Sequence, residues 1–383
     1  MIRLREGVVL DVLEERPGVQ ELLVEVDGEK NKAINYPDLT GNCRKGDKVL
    51  LNTTALFLKL GTGGFHFVIY NHSVNRLEAG GPGHIMKLRY TPFQIKCLSA
   101  EEEASPFRNK FMKTESLDGM PVIIGSLHSM LAPACAAIKA KSPTLKIAYV
   151  MTDGGALPIF FSRTVYELKK KKLLDLTVTS GHAFGGDLEA VNIYSGLLAA
   201  RASGCDIAVV AMGPGIVGTG TKYGHTGLEQ GEIINAVNIL NGTAIVIPRI
   251  SFSDQRKRHQ GVSHHTITSL LEIALTRAFV VIPKMHDGKL GVVMTQLKNC
   301  GITKKHSIIV EDGMGGIELL RASGIELRTM SRRFEEDPEF FLAAGAAGTF
   351  AAKIILNRRD GGWREWIFSR LRSTLGTFFP VKY

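Results

Sequence analysis

The chain is poor in the features that would tie it together covalently or hold it in a membrane. It has five cysteines in 383 residues. Cys43, Cys97, Cys135, Cys205 and Cys300 are an odd number, far apart, with no CxxC pair. This excludes a disulfide framework and a cysteine zinc site, and leaves reduced thiols in a core. The longest apolar run, Phe340–Ala352, has 13 residues before Lys353. It falls short of the roughly 20 needed to span a bilayer and reads as a buried helix. The opening MIRLREGVVLDVLEERP scatters charges among its apolar residues and has no secretory core, so the expected location is the cytoplasm. Walker, HExxH and GxSxG patterns are all missing, and no cysteine neighbours a histidine, which disfavours covalent hydrolase chemistry.

What is present is ordinary globular composition, 44% hydrophobic and 22% charged, in a chain long enough for two domains. The net charge is +10, distributed as +2 over residues 1–97, +4 over 98–356 and +4 over the last 27. No single region carries it. Basic and aromatic residues interleave only weakly in residues 1–97, so nucleic acid is not an expected partner. Nor is a membrane. A small anionic molecule suits the mild excess of cations.

Residues 1–97 read as short strands: Gly7–Leu13, Glu21–Val26 ending in the hairpin turn Asp27-Gly28, Lys48–Asn52 and Phe65–Tyr70. A small OB- or SH3-like barrel is the economical way to close them. Residues 98–120 are polar and read as a linker. From 121 to 357 short apolar strands alternate with helical periods. The strands expected are Val122–Gly125, Lys146–Met151, Leu176–Thr179, Asp206–Met212, Ala244–Pro248, Phe279–Pro283, Ser307–Val310 and Glu326–Met330. Such alternation predicts an α/β domain with a doubly wound, mostly parallel sheet. Leu188, Val191, Ser195, Leu198 and Ala202 share a helical face, with Asp187 as the expected N-cap. In the last helix, Gly345 and Gly348 would admit a close backbone. The basic, aromatic tail 358–383 is expected to pack on the body or on a second copy, making a homo-oligomer.

Ligands of open α/β sheets bind beyond the carboxyl ends of the strands. Here strand after strand ends in small polar residues, glycine and histidine. The loop Gly213–Thr226 runs from a buried strand toward a helix start. Its Gly215, Gly218 and Gly220 would turn amides inward, and Thr219, Thr221 and Lys222 add hydroxyls and a cation, so it is read as an anion cradle. Arg256, in the basic cluster Arg256–His259, is read as an anion clamp on a lid. His128, His182 and His225 follow strand ends. His128, Asp153 and His182 have the right types for a divalent metal, and Asp153, His182 and His225 for acid–base catalysis. Of the adjacent pair His264 and His265, one at most should face a site, since neighbours on a helix project about 100° apart.

The runs RHQGVSHHT, TSGHAFGGD, MTDGGALP and LNTTALFLKLGTGG resemble an uncharacterised bacterial family, a domain of unknown function, over essentially the whole chain. That resemblance implies a bacterial cytosolic setting and supplies no catalytic residues. The residues themselves point to an enzyme that hydrolyses a small anionic, phosphorylated metabolite or transfers a group from it. The alternative is a non-catalytic metabolite sensor whose barrel contacts a partner or nucleic acid.

Overall fold

The computed structural model describes residues 1–61, 63–362, 366 and 369. Two compact units divide the chain, Met1–Cys97 and Leu98–Tyr383.

The first unit is a closed five-stranded barrel in the order β1-β2-β3-β5-β4, with β1 Leu4–Arg16, β2 Val19–Val26, β3 Glu29–Asn35, β4 Lys48–Asn52 and β5 His66–Asn71. β1 is long enough to pair with both β2 and β4, and its register shifts twice, after Val9 and after Val12. Bulges of this kind bend a strand and let a small sheet close. A parallel β3–β5 pairing completes the ring, so the barrel is a five-stranded Greek key of the OB kind. Val9, Leu22, Val24, Val26, Ala33, Val49, Leu51 and Val68 fill it. A short hairpin follows, β6 Ile85–Lys87 and β7 Ile95–Cys97.

The second unit is an α/β sheet of eight strands: β8 Pro121–Ile124, β9 Ile147–Thr152, β10 Leu176–Ser180, β11 Leu188–Ala190, β12 Ile207–Met212, β13 Thr243–Val246, β16 Phe279–Pro283 and β17 Ser307–Glu311. Their order is β11-β10-β9-β12-β8-β13-β16-β17, and every pairing is parallel. Two small antiparallel hairpins stand outside it, β14 Ile250–Ser251 with β15 Gly261–Val262 and β18 Arg328–Thr329 with β19 Arg332–Arg333. The central strands are wholly buried because helices cover both faces. Helix Leu131–Lys141 packs with Met314–Ala322 and Pro338–Arg359, while Glu229–Ile239 packs with Ile193–Ala202. Leu131–Lys141 carries the chain from β8 toward one edge of the sheet; Glu229–Ile239 carries it from β12 toward the other. The loops after β8 and β12 therefore part company, which makes their ends the switch point where such sheets bind ligands.

Some expectations need correcting. Residues 98–120, read as a linker, lie within the second unit. The Ala100 amide donates to Glu189 and the Leu117 amide to Leu240, and Ala100, Leu117 and Met120 are buried. The eighth strand is not Glu326–Met330. That stretch holds only β18, whose turn to β19 places Met330 and Ser331 at φ 46° and 70°. Two consecutive positive φ angles suit a primed hairpin turn, here made without glycine. The eighth strand is instead Leu188–Ala190, expected to be helical. The helix starts later, at Ile193, and its N-cap is Asn192, which accepts from the Tyr194 and Ser195 amides in a capping box. Asp187 accepts from the amide and hydroxyl of Thr177 and pairs with Lys169.

Helix Pro338–Arg359 is long and apolar enough by composition to cross a membrane, and 78% of its apolar window is buried inside the protein. Its Gly345 and Gly348 lie against the backbones of Gly313 and Ala134, where a Cβ would overlap a carbonyl oxygen. Past Gly362 the expected tail lies outside the described residues, apart from Trp366 and Ser369.

Candidate functional site

The loops leaving neighbouring strands β9 and β12 lie on one another. The Ala156 amide donates to the Pro214 carbonyl at 2.8 Å, and a side chain on Gly155 or Gly213 would strike the facing backbone. Gly181, at φ 66°, lies under the carboxylate of Asp153, which accepts the His182 amide at 2.9 Å. Asp153 and His182 are thus neighbours through a backbone bond, and Asp153 is exposed.

His128 is elsewhere and closed off. One ring nitrogen meets the Tyr149 hydroxyl at 3.0 Å and the other the Ser162 hydroxyl at 2.6 Å. Tyr149 in turn donates to the carbonyls of Ala211 and Met212. Burial lowers the His128 pKa to about 4. With both nitrogens engaged this imidazole holds strand ends together, and His128, Asp153 and His182 do not gather as an ion-binding set.

Among the described residues, the set placed to share an ion is His225, His264 and His265, whose ligand atoms all lie within 4.8 Å of one another. His225 ends the loop after β12, where it bridges to Gly218. His264 and His265 open the helix after β15, behind the N-cap Ser263. The rings of His225 and His265 stack with centroids 3.8 Å apart, and His264 lies 4.4 Å from His265. Both adjacent histidines therefore face the same site. The 100° between their Cβ directions is overcome because they sit in the first helical turn and His225 comes in to meet them. His259 adds a fourth ring, 4.9 Å from His265, with Nδ1 on the Ser263 hydroxyl at 2.7 Å. Ser269 pins the two loops together, donating to Gly227 and His265 carbonyls. It begins the π turn Ser269–Ile273, a helix form frequent at functional sites.

These rings are buried yet under-used. His225 and His265 are each 6% exposed. Among the described residues, neither nitrogen of His225, nor Nε2 of His264, nor Nδ1 of His265 has a well-formed hydrogen bond, although the Lys222 backbone lies near enough to His225 to act on it. Buried polar atoms are normally paired, so four unpaired nitrogens in one cluster need an explanation. Burial is the first cause that lowers the pKa of all four histidines, with mutual repulsion and Arg249 adding to it; His259 falls to about 3. The rings are neutral at pH 7, the state in which imidazole binds metal.

The loop Gly213–Thr226 differs from the cradle expected. The amides of Val217, Thr219, Gly224, His225 and Thr226 are taken by partners inside the loop, and so are the hydroxyls of Thr219 and Thr221. Lys222 is exposed and pairs with Glu272 at 2.7 Å. Gly215 and Gly220 take φ angles of 114° and 84°, which the turns require, and Arg258 lies against Gly220. The loop's glycines thus shape a turn that delivers His225.

Sequence patterns did not mark three further groups. Arg249, 2% exposed, pairs with Asp254 at 3.2 Å, and Arg256 grips the same carboxylate at 2.8 Å. Arg332 meets Asp337 at 3.0 Å and approaches Asp254 at 3.8 Å. Arg256 is therefore held from behind, and Met330 Sδ touches both Arg249 and Arg256. Glu229, the first residue of its helix, accepts from the Thr152 hydroxyl. Burial, reinforced by the Asp153 charge, pushes its pKa up to about 7. Gln230 donates to the carbonyls of Ile124 and Ile247, bridging the ends of β8 and β13, while its own Oε1 and the Ser126 hydroxyl remain unpaired. A usable signal existed for Arg249, a lone charge inside the run IVIPRIS. None existed for Glu229, since an acidic residue in a first helical turn is usual.

A family model described as "Protein of unknown function (DUF3866)" matches residues 32–348. The chain belongs to this family. No curated protein matches it. The DUF3866 match takes in the end of β3, β4 and β5 of the barrel and every strand of the parallel sheet, together with all four clustered histidines and Arg249, Asp254 and Glu229.

Proposed function

We propose that the α/β unit is an enzyme acting on a small anionic, phosphorylated metabolite, by hydrolysis or group transfer, at the carboxyl edge of its sheet. One observation carries this reading: among the described residues, Arg249, Arg256 and Arg332 share only Asp254 and Asp337, beside imidazoles that bring no negative charge. Arg249 is buried with Asp254, while Arg256 and Arg332 reach toward solvent with one charge in excess of the two carboxylates, and an anion held by guanidinium forks would balance it. In this reading Arg256 and Arg332 hold the anion. The turn containing Gly215, Gly218, Thr219, Gly220, Thr221 and Lys222 walls the site. Asp153 and Glu229 exchange protons, with His182 and His225 on the same edge. A carboxyl group that titrates near 7 is matched to acid–base work at neutral pH.

The test is thermal stabilisation by orthophosphate and by a panel of phosphorylated and carboxylated metabolites, followed by product analysis on those that bind. At a hundredfold excess over Kd a ligand adds about 2.7 kcal/mol. Arg256→Ala should abolish the shift, and Glu229→Gln should keep it while cutting turnover about a hundredfold. Absence of any shift in the wild-type protein, or an equal shift in Arg256→Ala, would overturn the reading.

A further inference from the structure

We propose that His225, His264 and His265 form a binding site for one divalent transition-metal ion of the zinc type, with a coordination position left open. The inference stands apart from the enzymatic reading, because an ion can bind whether or not anything turns over.

Geometry is the first support. Three nitrogen donors from two loops meet within 4.8 Å, at the switch point of the sheet. Zinc–imidazole bonds of about 2.0–2.1 Å need the donors somewhat closer, a contraction that side-chain rotation supplies. The stacking of His225 on His265 shows which rotation. A metal lies in the plane of each ring it binds, and two rings 11° from parallel with centroids 3.8 Å apart cannot both contain it. Binding must therefore unstack the pair, turning one ring toward His264.

The second support is the unpaired nitrogens. An imidazole bound through one nitrogen usually gives its other N–H to an acceptor, which fixes the tautomer. Here His225 and His265 are buried with nitrogens that make no well-formed hydrogen bond, the Lys222 backbone acting on His225 being the acceptor at hand, and a metal bond would satisfy one nitrogen on each ring. His259, tied to Ser263, is oriented without the ion; its ring forms the wall behind His264 and His265.

The third support is charge. No carboxylate belongs to the ligand group, and Arg249, Arg256 and Arg258 lie close enough to act on its histidines. Guanidiniums oppose a bare dication and favour one that carries an anionic ligand. The open position should thus hold hydroxide or an anion, the arrangement of catalytic zinc sites with three protein ligands and one exchangeable one.

The test uses untagged full-length protein, stripped by chelator and then titrated with Co²⁺ and Zn²⁺. The expected result is one equivalent of Co²⁺ with the intense visible absorption of a low-symmetry site, displaced by Zn²⁺ and perturbed by added phosphate. His264→Ala, at a half-exposed position that tolerates truncation, should weaken uptake at least tenfold and remove the absorption. His225→Ala and His265→Ala should do the same. Truncating the exposed barrel histidine, His72→Ala, should change nothing. Circular dichroism of each stripped variant establishes that it is folded. Folded wild-type protein that takes up no equivalent, or uptake that survives in folded His264→Ala, overturns the proposal. Metal binding without stabilisation by any anion would leave this site standing and remove the proposed function.

Discussion

Two histidine sites lie at strand ends of the same sheet, and they are built in opposite ways. His128 has both nitrogens engaged, by Tyr149 and Ser162, and the residues around it bridge β8, β9 and β12. His225, His264 and His265 lie within reach of one another with four nitrogens unpaired. Residue type and position in the chain are alike. The difference lies in hydrogen bonding, and it separates a ring that serves the fold from rings held in readiness for a ligand.

The largest effect that would sharpen this contrast is at the open site. Asp254 is the carboxylate that Arg249 and Arg256 share, and it is itself 2% exposed. Asp254→Ala leaves Arg249 buried and unpaired, at a cost of about 3–5 kcal/mol. Chemical denaturation should register it, and a loss below 1 kcal/mol would mean the cationic pocket is far wetter than its burial implies.

The next effect belongs to the closed site. His128→Ala should destabilise by about 1–3 kcal/mol, because Tyr149 and Ser162 lose a buried partner. It should leave metal uptake intact. The paired substitution His225→Leu in metal-free protein should be neutral or stabilising by up to about 1 kcal/mol, since no well-formed hydrogen bond is lost. Equal destabilisation by the two would break the comparison.

Glu229 sharpens it through pH. Its folded pKa, near 7, lies above the ordinary carboxylate value. The folded state therefore binds more protons than the unfolded state between about pH 4.5 and 7. Stability contributed by protonated Glu229 is present below that window and lost as pH rises through it, on the order of 3 kcal/mol. Glu229→Gln should flatten this part of the stability–pH curve, measured by denaturation at each pH. A wild-type curve that rises over the window, with no difference in the variant, would contradict the assignment.

The smallest effect expected is that of Lys222→Ala. Its pair with Glu272 is exposed, and exposed pairs contribute little. Melting temperature should not move measurably.

Seven of the eight sheet strands were legible because strands covered on both faces are continuous apolar runs, as in Ile207–Met212. Leu188–Ala190 was not. Three residues are too few to show a period of two, and Leu188 and Val191 also fit a helical spacing. Glu326–Met330 misled because its apolar residues precede a hairpin instead of entering the sheet. The edge that carries the site could be read from the small residues ending each strand. Its membership could not, because the excursion from β14 to β15 decides where His264 and His265 arrive. His128 and His225 look alike in sequence, and only the tertiary fold supplies Tyr149 and Ser162 to one and withholds partners from the other. Asp254 and Glu229 matter through burial, which no spacing encodes.

The central claim is that the unpaired histidines wait for a ligand, and anomalous diffraction tests it most directly. Crystals of zinc-loaded protein, measured on both sides of the zinc absorption edge, should show one strong anomalous peak bonded to His225, His264 and His265, with the His225–His265 stack opened. Ordered, still-stacked rings with no anomalous peak between them would contradict the account.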